Sequence, residues 1–172
     1  MLSVPEILKQ EFEFEVATLR KMMERVPFDK ADWKPHTKSM SLKALTTHLA
    51  ELPAWVTMGL NTTELDFAKK PYIPTPVSST DDLLVLLSDS YKSGKASLEK
   101  VKDADLLPQW TLRHGQHVLA TMNKYEVIRH ALNQIAHHRG QLSVYLRLLD
   151  VPVPGSYGPS ADDMAERAKA AH

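Results

Sequence analysis

The segment from Lys124 to Leu149 constrains the fold most, because it has the length and the apolar spacing of one long amphipathic helix. Inward positions recur in it at alternating intervals of three and four residues, the pattern of a helix packed in a bundle. These positions are Ile128, Ala131, Ile135, His138, Leu142, Tyr145 and Leu149. His138 therefore stands where an aliphatic side chain is expected, and a buried imidazole needs a polar partner.

A second histidine has the same anomaly in the segment from Ser41 to Trp55. Gln134 lies one turn before His138 and about 40° around the helix axis, so its amide can point into the same space. Neutral imidazole nitrogens bind divalent metals well, and bundle proteins build metal sites from facing helices. The pattern therefore predicts a metal site that contains His48 and His138, with Gln134 beside them. The inward face of the second segment consists of Leu45, His48, Leu52, Trp55 and Gly59.

Two alternatives to this metal site remain open. The two inward histidines can be core residues that hydrogen-bond to backbone or carboxylate groups, and Gln134 can be an ordinary interhelical amide. His137 is rotated by about 100° from the inward face, so we expect it on the flank, and we expect His130 to be solvated. His114 and His117 have a spacing found in some metal sites, but we expect a hairpin to place them on opposite faces.

The first helix is predicted to begin near Ser3 and to end before Pro27. Ser3 and Glu6 have the spacing of a capping box, and a proline is tolerated in the first turn. Glu15 interrupts the apolar face of this helix. It can accept a hydrogen bond from a metal-bound imidazole, or it can pair with Arg139.

Prolines and turn residues mark the connections between the other helices. Pro53 is expected to kink the second helix, and residues 70–76, with three prolines, are expected to cross the surface in an extended conformation. A third helix is predicted from about Thr80, with acidic residues in its first turn. Residues 110–119 suggest a short hairpin or an irregular excursion, and a short final helix is predicted after Ser160.

These elements predict an all-α protein with a single domain over residues 1–172. The expected architecture is a four-helix bundle with a short irregular or hairpin excursion before the last long helix. Long connections follow the second and third helices, and they leave the up-and-down order of the helices open.

Charge and cysteine content limit the partners and the ligands. The chain has 21 basic and 21 acidic residues and a formal net charge of zero, so we expect no nucleic-acid or membrane partner. It contains no cysteine, so any metal must bind through nitrogen and oxygen. Residues 1–6 lack the start of a signal peptide, and no segment has the length of a membrane span, so we expect a cytoplasmic protein.

Two segments of the chain resemble the DinB-like (YfiT-like) superfamily of bacterial proteins. One runs from Thr47 to Trp55, and the other runs from His137 to Arg147 and contains a His-Arg-Gly-Gln sequence. Residues 152–162 also look like members of one branch of this superfamily. The resemblance covers nearly the whole chain.

The resemblance implies a four-helix bundle, often a homodimer, in which three histidines hold nickel, zinc or a similar ion. His48 matches the first of these ligands and His138 matches the last, whereas Gln134 stands at the position of the middle histidine. Characterised relatives include transferases and isomerases that use low-molecular-weight thiols. The resemblance thus implies metal-dependent transferase or hydrolase chemistry on a small-molecule or thiol substrate. The alternative is a non-enzymatic ligand-binding or stress-associated bundle with a decayed metal site, which Gln134 favours.

Overall fold

The computed structural model describes residues 2–170, and within that range it contains six α-helices and a three-stranded sheet. The helices are α1 (Val4–Met23), α2 (Leu42–Glu51), α3 (Ala54–Asn61), α4 (Thr80–Leu98), α5 (Lys124–Leu148) and α6 (Ala161–Ala170). The strands are β1 (Glu64–Asp66), β2 (Gln109–His114) and β3 (His117–Asn123). Two short 3-10 helices span Phe28–Lys30 and Asp103–Leu106.

The prediction of an all-α four-helix bundle is wrong, because the protein is helical but contains a mixed sheet and more than four helices. One reason is Pro53, where the expected kink is a complete break between α2 and α3. A proline has no N–H to continue the helical hydrogen bonds, and its ring clashes with the preceding turn. The chain resumes a helical path at Ala54, where Pro53 itself serves as the residue before the first turn.

The second reason is the sheet, in which β2 pairs with β1 in parallel and with β3 in antiparallel orientation. The hairpin expected before the last long helix is present, but β1 has only three residues and no alternating pattern that would predict it. Trp110 is 2% exposed and donates its indole N–H to Thr62 Oγ1 at 2.9 Å. This bond fixes the sheet to the end of α3.

The two hairpin histidines lie differently from the sequence expectation. The residues of the β2–β3 turn are Gly115 and Gln116, and the register pairs His114 with His117. Directly opposite residues of an antiparallel pair project to the same face. The expectation of opposite faces is therefore wrong, because strand alternation does not continue through a turn. Both histidines are exposed.

The ends of the predicted helices agree with the structure. The Ser3 backbone N–H donates to a Glu6 carboxylate oxygen at 2.7 Å, which completes the capping box of α1. Ser79 caps α4, whose first turn contains the predicted acidic residues. The short final helix is present as α6, with Asp162 and Asp163 in its first turn.

The core lies where α1, α4 and α5 meet the α2–α3 pair. Each of these helices contributes side chains with no measurable exposure, as their apolar spacing predicts. Examples are Phe12 from α1, Leu45 and Leu49 from α2, Leu83 from α4, and Ile128 and Ile135 from α5. Among the described residues, no helix is both long enough and apolar enough to cross a membrane.

Gly94 on α4 provides a stability prediction, because it lies where α4 closely approaches α1 and Pro53. A Cβ atom at this position would be 2.6 Å from Phe12 Cζ and 2.7 Å from the Pro53 carbonyl oxygen. We expect Gly94→Ala to lower the free energy of unfolding by about 1–3 kcal/mol through overpacking. Urea unfolding followed by circular dichroism measures this change.

Gly140→Ala is the matched control, because a Cβ at this exposed helical position has no neighbour within 4 Å. Alanine favours a helix interior over glycine by about 0.5–1 kcal/mol, so this variant should be more stable than the wild type. Shifts of the same sign in both variants would contradict the packing argument for Gly94.

Candidate metal centre

His48 of α2 and His138 of α5 face each other across the interface between these two helices. Their ring centroids are 4.9 Å apart, and the ring planes cross at 83°. Both side chains are half-buried. The structure therefore brings together the two histidines that stood out on the apolar faces of their helices, and it exposes His130 and His137 as expected.

The tautomer of His138 follows from its contact with Gln141. Nδ1 of His138 lies 2.7 Å from Oε1 of Gln141 on the next turn of α5. A carboxamide oxygen can only accept a hydrogen bond, so Nδ1 carries the proton and Nε2 keeps a free lone pair. Metal-ligating histidines usually donate their second N–H in this way, because the bond orients the ring.

The two imidazoles are held in their neutral form. Burial lowers the pKa of His48, the nearby His138 lowers it further, and the charge of Glu51 acts in the opposite direction. Burial also lowers the pKa of His138, against the hydrogen bond to Gln141, and His137 adds to the lowering. Because a metal binds only the unprotonated ring, this pair is in its ligand form at neutral pH.

Gln134 lies one turn before His138 on α5 and is partly buried. Its amide nitrogen is 3.5 Å from Nε2 of His130. His130 in turn stacks on Trp55 at 6.4 Å between ring centroids, with an interplanar angle of 16°. The amide nitrogen of Gln134 is thus directed to His130. The carboxamide oxygen is the atom of Gln134 that remains available as a metal ligand.

The site also contains residues that the sequence reasoning missed. The ring of Tyr72 lies 6.3 Å from that of His48, and its hydroxyl donates to Glu51 at 2.6 Å. Burial raises the pKa of Tyr72, and the hydrogen bond to Glu51 raises it further. The spacing of three residues between His48 and Glu51 could have identified Glu51, because it places both on one side of a helix. No local pattern could have identified Tyr72.

Glu15 forms an ion pair with Arg139, which decides between its two predicted roles. Nη1 of Arg139 is 2.5 Å from Oε2 of Glu15, and Arg139 as a residue is only 2% exposed. The Tyr157 hydroxyl donates to the other Glu15 oxygen at 2.9 Å, and its ring lies over the guanidinium group. Arg139 fits the apolar spacing as well as His138 does, since it is four residues after Ile135. This spacing from Ile135 could have predicted from the sequence that Arg139 is buried.

Two imidazoles of the α2–α5 pair, from His48 and His138, are of a chemical type that binds a divalent metal ion. Among residues 2–170, no group of three or more histidine, cysteine, aspartate or glutamate residues is placed to hold a metal. The free Nε2 of His138 and the neutral His48 are good ligands for nickel or zinc. Gln134 offers a weaker oxygen donor at the third position.

The neutral histidine pair predicts how stability depends on pH. Both pKa values lie below the ordinary value of 6.5, so the unfolded chain binds protons that the folded pair excludes. The stability contributed by the neutral pair is complete above pH 6.5 and is lost as the pH falls through the lowered pKa values. Urea unfolding of chelator-treated protein at pH values between about 7.5 and 5 measures the free energy of unfolding as a function of pH. This free energy should fall less steeply with decreasing pH in His48→Gln than in the wild type. The control is His117→Gln, at an exposed position. An equally weakened pH dependence of the unfolding free energy in this control would contradict the attribution to the His48–His138 pair.

The helical fold and the imidazole pair between α2 and α5 define the class: a helical protein with a candidate metal centre between its helices. The family model that describes DinB family sequences matches residues 2–170 of this chain, and the chain belongs to this family. This match confirms the resemblance seen in the sequence.

Solved structures of DinB-like proteins share the fold. A DinB-like protein of Bacillus subtilis has a TM-score of 0.69 at 19% identity, over 87% of this chain and 96% of that chain. One from Bacillus cereus has a TM-score of 0.67 at 17% identity, with coverage of 87% and 95%. A DinB family protein of Exiguobacterium sibiricum has a TM-score of 0.63 at 19% identity, with coverage of 87% and 94%. At these identities the likeness shows the fold alone. A comparison with curated proteins found no match.

Proposed function

We propose that this DinB family protein binds one divalent metal ion, nickel or zinc, between α2 and α5. His48 and His138 supply two imidazole nitrogens, and the carboxamide oxygen of Gln134 supplies a third donor. The observation that supports the proposal is the pair of half-buried neutral imidazoles on different helices, 4.9 Å apart between ring centroids. Three protein donors would leave positions open for a water or a substrate.

The proposed chemistry is a metal-dependent transfer or hydrolysis that uses a low-molecular-weight thiol. A bound divalent ion would lower the pKa of a water or thiol at an open position. Gln141 holds His138 in the ligand tautomer, and the rings of Trp55 and Tyr72 lie beside the ring of His48. The chain has no cysteine, so the thiol has to come from the substrate. The proposal includes a homodimer, which analytical sedimentation would test.

Metal content is the direct test of the proposed site. Tag-free protein is stripped with a chelator, reloaded with nickel or zinc, desalted, and measured by elemental mass spectrometry. We expect about one ion per wild-type chain and almost none in His138→Ala, because a single remaining imidazole and a carboxamide bind weakly. His117→Ala is the control, because it disrupts the exposed hairpin pair and leaves the α2–α5 pair unchanged. Metal lost in that control and retained in His138→Ala would contradict the proposal.

A second candidate function is a non-enzymatic ligand-binding or stress-associated protein with a decayed metal site. One observation favours it: Gln134, whose amide nitrogen is directed to His130, stands where the resemblance implies the middle histidine ligand. Wild-type protein that takes up neither nickel nor zinc after reloading would support this candidate and remove the first one.

A further inference from the structure

A pocket of about 510 Å³ lies where the end of α3 meets the start of α5, and α4 forms another of its walls. Its volume is within the range of small-molecule sites, roughly 300–1,000 Å³. Lys124 of this pocket and His138 are both on α5, and the rise of a helix separates them by about 20 Å along its axis. The pocket is therefore distinct from the candidate metal centre.

The charged groups of the pocket favour an anion. Lys100 and Lys124 line it, and Asp105 is the single acidic residue among the described residues of its wall. Within residues 2–170, neither lysine forms an ion pair. Lys124 donates one N–H to the carbonyl oxygen of Leu60, which holds its ammonium group at the pocket. An ammonium group has three donors, so two remain for a ligand.

A row of three hydroxyl groups adds a neutral donor to the pocket. Ser97 donates to Thr57 Oγ1 at 3.1 Å, and the hydroxyl oxygens of Thr57 and Ser93 are 2.8 Å apart. Among the described residues, Ser93 is the one acceptor within reach of the Thr57 proton, so Thr57 donates to Ser93. Ser93 lines the pocket and keeps its own proton for a further acceptor. Asn61 adds a carboxamide, which can both donate and accept.

We propose that this pocket binds a small phosphate monoester that also has hydroxyl groups, such as a sugar phosphate. A phosphate monoester has a charge of about −1.5 to −2 at neutral pH, which two lysines can neutralise. Lysine binds phosphate as a point charge, and the free Ser93 hydroxyl can donate to a phosphate oxygen. The carboxamide of Asn61 suits the hydroxyl groups of the ligand. This inference goes beyond the proposed function and does not depend on it.

Two charge variants should change the affinity for ribose 5-phosphate in opposite directions, as measured by isothermal titration calorimetry of chelator-treated protein. Lys124→Met removes a charged donor, and we expect it to weaken binding by about tenfold or more. Asp105→Asn removes the negative charge, and we expect it to tighten binding severalfold. Its amide oxygen can still accept the Lys102 backbone N–H, which Asp105 accepts at 2.9 Å. Lys21→Met, at an exposed position of α1 outside the pocket, is the control and should bind as the wild type does.

A pocket-filling variant tests the location of the site without removing any polar group. Ala96 lines the pocket from an exposed position of α4, so Ala96→Phe should abolish binding of ribose 5-phosphate while the circular dichroism spectrum stays that of the wild type.

Ligand controls test the chemical class. Ribose should not bind, and inorganic phosphate should bind more weakly than ribose 5-phosphate. Equal affinity for inorganic phosphate would overturn the assigned ligand class. Wild-type protein that does not bind ribose 5-phosphate, or wild-type affinity in Ala96→Phe, would overturn the proposed site, and neither result would bear on the histidine pair.

Discussion

Arg139→Ala is expected to lower the free energy of unfolding by about 3–5 kcal/mol, a large part of the stability of a typical domain. The substitution leaves the Glu15 carboxylate, a group on a residue only 6% exposed, without its cationic partner. A buried charge that loses its partner keeps the full cost of its removal from water. Urea unfolding followed by circular dichroism at neutral pH measures the effect.

Arg129→Ala is the matched control for this prediction. Arg129 also lies on α5 and pairs with a glutamate of α1, Glu11, but both side chains of this pair are about one-third exposed. Water solvates the remaining glutamate, so we expect a loss of only about 0–1 kcal/mol. Equal losses in the two variants would show that burial does not decide the effect.

A double variant separates the cost of an unpaired charge from the loss of packing at this position. Glu15→Leu combined with Arg139→Met replaces the pair by apolar side chains of similar size. Such replacements of buried ion pairs are often neutral or stabilising, so the double variant should be close to the wild type in stability. Its metal content then reports whether the ion pair also matters for the position of His138, the neighbouring residue on α5.

Gln134→His is expected to tighten nickel or zinc binding by at least about tenfold, because the third donor becomes an imidazole. Gln134 is one turn before His138, so a histidine there places its ring on the same side of α5. Titration of the chelator-stripped variant against a competing chelator measures the change. The ring would also end the contact of the Gln134 amide with His130.

His130→Ala is the control for the loss of that contact, since it also removes the partner of the Gln134 amide but adds no imidazole. It should leave the metal affinity near that of the wild type. Unchanged affinity in Gln134→His would mean that the side chain at this position does not reach the ion, and the role of Gln134 in the site would be wrong. Tight binding already present in the wild type would argue against the alternative of a decayed site.

Much of the helical structure could be predicted from the sequence, because it is encoded locally. Ser3 with Glu6 marks the start of α1, and the regular apolar spacing marks α4 and α5. Pro53 predicts a disturbance in the second helix, but its local effect does not say whether the helix bends or breaks. The contacts of α3 with α4 and α5 are long-range interactions that stabilise α3 as a separate helix, and no local pattern reports them.

Strand β1 and the fold class could not be predicted in the same way. Its three residues have no alternating pattern, and it exists because its backbone pairs with β2 more than forty residues later in the chain. The hairpin was predictable, since its two strands are adjacent in the sequence. Its register shows why the expected placement of His114 and His117 failed: the turn resets the alternation of side chains.

The sequence by itself determined that His48 and His138 point inward, because each occupies an apolar position of a strongly periodic helix. It also determined the absence of thiolate ligands and the main helix boundaries. Only the tertiary structure decided which groups meet around this pair. The ion pair joins Glu15 to Arg139, which is distant in the chain. In the same way, Tyr72 contacts Glu51 and His48 from a different segment. The apolar spacing of a helix predicts which way a side chain points. The residue that this side chain contacts depends on how the helices and strands pack against each other.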